Sequence, residues 1–118
     1  MGFELTSQVA VTANDLETIK ARNNPTADYF YRNSLAWCEY WTRTFPVDQG
    51  FHPWDSAAIA WLLNKDWFTY EERGAAIQRD PDRFECDITF PDAKHTYCTG
   101  FTDGGAQAFV DAVVANVY

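Results

Sequence analysis

The chain has 118 residues, 47% hydrophobic and 17% aromatic, with a formal net charge of −8 at pH 7. That length sets a limit of one domain, able to bury roughly two-thirds of its unfolded surface, and the acidic balance excludes nucleic-acid backbone and anionic membrane as partners, since neither attracts a polyanion. Cys38, Cys86 and Cys98 form no C-x-x-C pair and read as reduced thiols of a cytoplasmic protein, no apolar run is long enough to span a bilayer, and the N-terminus lacks the signal-peptide pattern.

Phe3 to Val11 alternates loosely and carries Thr6, Val9 and Val11, the pattern of a strand or strand end. Thr12-Ala13-Asn14-Asp15 is a capping signal for a short helix ending near Ala21. Asn24-Pro25 reads as an N-cap with a first-turn proline and opens a longer helix to about Thr44. The apolar residues Phe30, Leu35, Trp37, Cys38, Trp41 and Phe45 cover more than one of its faces, which predicts a largely enclosed helix. Residues 46–53 form a loop, and Trp54 to Leu63 a helix apolar enough to be expected in the interior. Trp67 to Tyr70 and Ala75 to Gln78 look like short strands, Asp80-Pro81-Asp82 a turn, Phe84 to Phe90 a strand, residues 91–94 a turn and Thr96 to Phe101 a further strand. Thr102-Asp103-Gly104-Gly105 leads into a terminal helix striped by Phe109, Val110, Val113, Val114 and Val117. Helices leading into and out of strands give an α/β class with a small β-hairpin excursion, and nothing divides residues 1–118 into more than a single domain.

The chemistry concentrates in Gly50 to Trp61, where Asp55 stands at the mouth of the apolar helix with the Trp54 ring just before it. An Asp there can cap free N–H groups and complement the positive end of the helix dipole. A fixed carboxylate beside a flat ring can also hold a hard cation next to a stacked planar ligand. The local pattern leaves both readings open. Elsewhere Asp80 and Asp82 read as an exposed turn, Asp103 as the cap of the terminal helix, and Glu71-Glu72-Arg73 as a solvated charge run. Cys98 reads as a packed small hydrophobe, and His95 has no metal-ligand partner at useful spacing.

In the order of its elements and in several motifs the chain resembles the nucleoside hydrolases, calcium-dependent N-ribohydrolases that split nucleosides into base and ribose. Gly2-Phe3-Glu4-Leu5-Thr6-Ser7-Gln8-Val9 is similar to that family's strand ending, Gly-Leu-Asp-Val-Thr-His-Gln-Val. Asn24-Pro25 and a long aromatic helix follow in the same layout. Pro53-Trp54-Asp55 with Ala57, Ala58, Ile59 and Ala60 looks like the family's late Asp followed by an apolar helix, and Asn64 to Phe68 loosely resembles its continuation. The resemblance covers essentially the whole chain and corresponds to the C-terminal third or so of a usual member. It implies the C-terminal part of an open, mainly parallel sheet with flanking helices.

Residue by residue, the resemblance places Asp55 at the family's last calcium-ligating Asp. Trp54 falls where many members carry a His that protonates the leaving base; a Trp-Asp pair instead resembles the purine-preferring branch, in which the ring stacks on the base. His52 is a candidate substitute acid, with an ordinary loop histidine as the other reading. Tyr40 and Trp41, with Phe45, are candidates for a wall over the base, or for core packing. The family's N-terminal Asp-x-Asp-x-Gly-x-Asp-Asp motif and its ribose-binding segment are absent from this sequence. Calcium takes about 6–8 oxygens and Asp55 supplies one or two of them, so the ion is expected only if another chain or segment completes the site. Gly2 to Leu5 aligns with the end of a central strand, which implies a partner protein or homo-oligomer over the inner faces of the helices, with Trp37, Trp41, Trp54 and Trp61 turned toward it. Two functions follow from the resemblance: a purine-leaning nucleoside hydrolase component inactive by itself, and a non-catalytic structural or interaction subunit of a larger assembly; a third reading sets the resemblance aside and takes the aromatic, acidic surface as a sugar- or ligand-binding module.

Overall fold

The computed structural model describes residues 3–74, 76–80, 83–87 and 94–117. The chain runs through α1 (Phe3–Thr6), β1 (Val11–Thr12), α2 (Ala13–Lys20), α3 (Pro25–Thr44), β2 (Gly50–Phe51) and α4 (Ser56–Leu63), then a 3-10 turn over Lys65–Trp67. It continues through β3 (Phe68–Arg73), β4 (Ala76–Asp80), β5 (Arg83–Asp87), β6 (His95–Phe101) and α5 (Gly105–Ala115). The architecture is mixed helix and strand.

The expected N-terminal strand is replaced by the α1 turn and a two-residue β1. Side chains cause the difference. Ser7 Oγ and Gln8 Nε2 both donate to the carbonyl of Glu4, and the Gln8 amide donates to Leu5, so local bonds close a turn where alternation alone suggests extension. The turn still buries Leu5, which joins Val9, Val11, Leu16, Ile19 and Phe109 in the core.

Both N-terminal helix starts form as their sequences dictate. At α2 the Thr12 amide donates to Asp15 Oδ2 at 2.8 Å and the Asp15 amide donates back to Thr12 Oγ1 at 3.3 Å, a reciprocal capping box. At α3 the Ala27 amide donates to Asn24 Oδ1 at 2.9 Å, with Pro25 in the first turn. Between them Asn23 takes a left-handed φ of 54°, a conformation Asn tolerates better than branched residues. The expectation that α3 is enclosed is not met: within the helix only Ala27 and Cys38 are buried, and Tyr29, Trp37 and Tyr40 are exposed, as is Phe45 just beyond its end.

The apolar α4 corrects a second expectation. Ala57 and Ala60 form its inward stripe, whereas Ile59, Leu62 and Leu63 are 61%, 77% and 78% exposed. A helix in the outer layer seats one stripe on its neighbours, however apolar its remaining faces are.

The sheets are antiparallel ribbons, not the expected mainly parallel open sheet. β1 pairs with β2, β3 with β6 and β4 with β5, all antiparallel. β4 and β5 lie in the connection between β3 and β6, so this part of the chain folds back on itself as nested hairpins, which need no helical crossover. The β3–β6 ladder runs from Phe68 opposite Phe101 to Arg73 opposite His95, with an irregularity between Thr69 and Tyr70. Of the predicted turns, Pro81, Asp82 and residues 91–93 lie outside the described residues, as do residues 88–90 of the strand expected to end at Phe90. Among the described residues no helix is long and apolar enough to cross a membrane.

Candidate functional site

The last turns of α3 and the chain that returns from it build an aromatic cluster. Helical spacing puts Trp37, Tyr40 and Trp41 on adjoining positions, with Phe45 one turn beyond. Trp37 stacks on Tyr40 at a centroid separation of 5.4 Å and tilts against Trp41 at 5.6 Å, while Trp41 meets Phe45 at 4.7 Å.

After α3 the chain turns through an Asp48 amide bond to the Phe45 carbonyl and a left-handed Gln49 with φ 55°. β2 then lays Gly50 against β1 so closely that a Cβ there would sit 2.3 Å from the Val11 carbonyl oxygen. This close approach delivers His52 into the interior at 6% exposure. The His52 Nδ1 lies 2.6 Å from the Val9 carbonyl oxygen, and since a carbonyl only accepts, Nδ1 donates. Its Nε2 lies 3.3 Å from Asp48 Oδ2, the oxygen that also accepts from Trp41 Nε1 at 3.0 Å.

Trp54 completes the cluster. Its ring centroid is 4.8 Å from that of His52 and 6.1 Å from that of Trp41, the latter pair edge to face at 72°. The structure thus brings together Trp41, His52 and Trp54. Tyr40 joins them indirectly, through Trp37, and is 45% exposed.

Asp55 occupies the N-cap position of α4 yet makes no side-chain cap bond. Its φ and ψ of −75° and −24° are helical, whereas a capping side chain needs an extended backbone to fold over the first turn. The carboxylate is exposed and not engaged with the helix start. Asp103 shows a related departure from expectation: the N-cap of α5 is Gly104, in a left-handed conformation with φ 77°, so that helix start has no side-chain cap.

One exposed carboxylate does not satisfy a calcium ion, which needs about 6–8 oxygens. Among the described residues no group of three or more His, Cys, Asp or Glu side chains is placed to hold a metal. The described residues do not by themselves fit calcium.

The remaining titratable candidates lie elsewhere. Cys38 and Cys98 are buried, and burial pushes both thiols above their ordinary range, the opposite of nucleophile activation. His95 is exposed on β6 opposite Arg73, which pairs with Glu71. Asp48 and the Val9 carbonyl are the parts of the site that sequence reasoning missed. The D-x-x-x-H spacing of Asp48 and His52 is the one signal that points to them. No protein-family model matches the chain, and no curated protein sequence matches it.

Proposed function

We propose that this chain is a nucleoside hydrolase-like component that stacks a purine base on Trp54 and offers Asp55 as one oxygen ligand to a calcium site completed by oxygens from another chain or segment. It does not hydrolyse nucleosides alone. The observation that carries this reading is the pairing of adjacent residues: the Trp54 ring is held by Trp41 and His52, while the Asp55 carboxylate is exposed and makes no cap bond. A ring held by aromatic neighbours offers its face to a planar ligand, and an exposed carboxylate without a cap bond can serve an external one.

Titration of the chain with inosine, followed by tryptophan fluorescence, tests the stacking. Base–aromatic stacking of about 1–3 kcal/mol corresponds to a weakening of roughly 5- to 150-fold in Trp54→Ala. An inosine response that Trp54→Ala leaves unchanged overturns the stacking, and so does the lack of any response. Calcium is expected to give no heat and no thermal shift with the chain alone, and inosine no free base. Tight calcium binding or base release by the isolated chain would refute the incomplete site.

A second reading, a non-catalytic interaction subunit, draws on the exposed Ile59, Leu62 and Leu63 of α4. A contiguous apolar surface of this kind marks an association face. Sedimentation separates the readings: a concentration-independent monomer whose inosine response depends on Trp54 supports the first, and self-association with no inosine response supports the second.

A further inference from the structure

We infer that His52 is a positioning residue, which sets the spacing of Trp41 and Trp54 by tying the loop after α3 to the segment that leads into β1. The inference rests on the reading of Trp54 as the base platform and assigns His52 a role other than proton donor to a leaving base.

The geometry is a relay of four groups. The Val9 carbonyl accepts from His52 Nδ1, His52 Nε2 lies against Asp48 Oδ2, and the same oxygen accepts from Trp41 Nε1. The two ends of the relay are 32 residues apart in sequence, from Val9 before β1 to Trp41 on α3. The imidazole is 6% exposed, so its polar contacts work in a poorly solvated setting where each is strengthened and a broken one is costly. Trp54 tilts against the imidazole at 4.8 Å, and Trp41 meets the same ring edge to face at 5.5 Å. The His52 ring is thus the common neighbour of the two indoles. A proton donor to a ligand needs a ring nitrogen directed at that ligand, and here both nitrogens are directed at protein oxygens.

A merely well-packed core histidine predicts that any isosteric replacement behaves alike. A positioning role through Asp48 predicts that the two amide replacements differ. The side-chain amide of Gln reaches the place of the imidazole Nε2 and supplies an N–H toward Asp48, the role Nε2 fills when the ring carries both protons, whereas that of Asn reaches the place of Nδ1 and keeps only the bond to Val9. The experiment compares His52→Gln, His52→Asn and Asp48→Ala by far- and near-ultraviolet circular dichroism and by inosine titration. His52→Gln is expected to keep the tryptophan near-ultraviolet band and to bind inosine within about twofold of the parent chain. His52→Asn and Asp48→Ala are expected to keep the helical far-ultraviolet signal, lose the tryptophan band, and bind inosine about fivefold or more weakly, the scale of one lost hydrogen bond.

Equal behaviour of the Gln and Asn variants, or an unchanged tryptophan band in folded Asp48→Ala, overturns the role. If the Asn variant does not fold, the indole N–H resonance of Trp41 in the Gln variant decides: an unshifted signal supports the relay, and one moved to the solvent-exposed position refutes it. A parent chain that binds no inosine refutes the nucleobase reading, and the near-ultraviolet and resonance comparisons still test His52.

Discussion

Arg22 Nη2 donates to the carbonyl oxygen of Val114 at 2.6 Å, joining residues 92 positions apart. The same guanidinium donates through Nη1 to the carbonyls of Ala115 and Val117 at 2.8 and 2.7 Å. The last carbonyls of a helix have no partner within it, and a cation there also meets the negative end of the dipole. Arg22 thereby fastens the C-terminal end of α5 to the chain just after α2. Arg22→Ala is expected to lower the unfolding free energy by about 1–3 kcal/mol in urea titrations. Arg22→Lys should recover only part of the loss, because an ammonium lacks the fork that reaches several carbonyls at once. Equal stability of the Lys variant and the parent would show that charge alone suffices.

The starts of α2 and α3 were legible, because their signals are complete within four residues, whereas the cap read at Asp103 for α5 does not form. Thr12 with Asp15 and Asn24 with Pro25 each carry their own partner, and the structure forms both caps. Pairing of strands was not legible in the same way. β1 and β2 contribute two residues each and meet only because α2 and α3 bring them together, a long-range outcome that no local alternation encodes. α4 misled for a related reason: composition reports that a helix is apolar but not how many neighbours surround it. Of the cluster, Trp41, His52 and Trp54 were readable as candidates. Their grouping depends on Asp48 and on a backbone oxygen 43 residues from His52, which no side-chain pattern announces.

Gly50 is required by the approach of β2 to β1 rather than by its own dihedral angles. A Cβ on it would meet the Val11 carbonyl oxygen at 2.3 Å and the carbonyl carbon at 2.8 Å, both backbone atoms that do not yield as a side-chain tip does. Gly50→Ala is expected to destabilise by about 1–3 kcal/mol, as overpacking does in cores. It should also disturb the aromatic cluster, because Gly50 lies two residues before His52. Loss of the tryptophan near-ultraviolet band together with a lowered melting temperature is the expected result. A stable variant with the parent band would show that β2 can shift without moving His52.

Burial pushes the Cys38 and Cys98 thiols upward, so the folded chain retains these protons to higher pH than the unfolded chain does. The Tyr31 hydroxyl is raised as well, first by its hydrogen bond to Glu17, and acts in the same direction. Groups raised on folding contribute stability that is complete below their unfolded values and is lost as pH climbs through the folded ones. The urea midpoint should therefore fall between about pH 8 and about pH 10.5, and less steeply in Cys38→Ala. Alkylation at neutral pH should be slow in the native chain and fast in urea. A midpoint that holds or rises over that alkaline range would contradict the direction of all three groups.

Asp55 and Asn24 occupy the same formal position on two helices but differ in backbone geometry, and that difference decides which side chain caps its helix. Asn24 is extended, with φ −132° and ψ 161°, and its side chain accepts from the Ala27 amide. Asp55 is helical and caps nothing. Replacing a working cap by Ala costs about 1 kcal/mol, whereas a carboxylate acting on the dipole alone contributes about 0.3–1 kcal/mol at most and is screened by salt. Asn24→Ala should therefore lower stability by about 1 kcal/mol at any ionic strength. Asp55→Ala should cost no more than about 0.5 kcal/mol, with the cost fading as salt is added. Urea titrations of the two variants at low and high salt measure both numbers. A salt-independent loss near 1 kcal/mol in Asp55→Ala would make its carboxylate a cap after all and remove it from the oxygens that a cation could use. A small loss leaves that carboxylate without a task inside this chain, as a residue kept for binding requires.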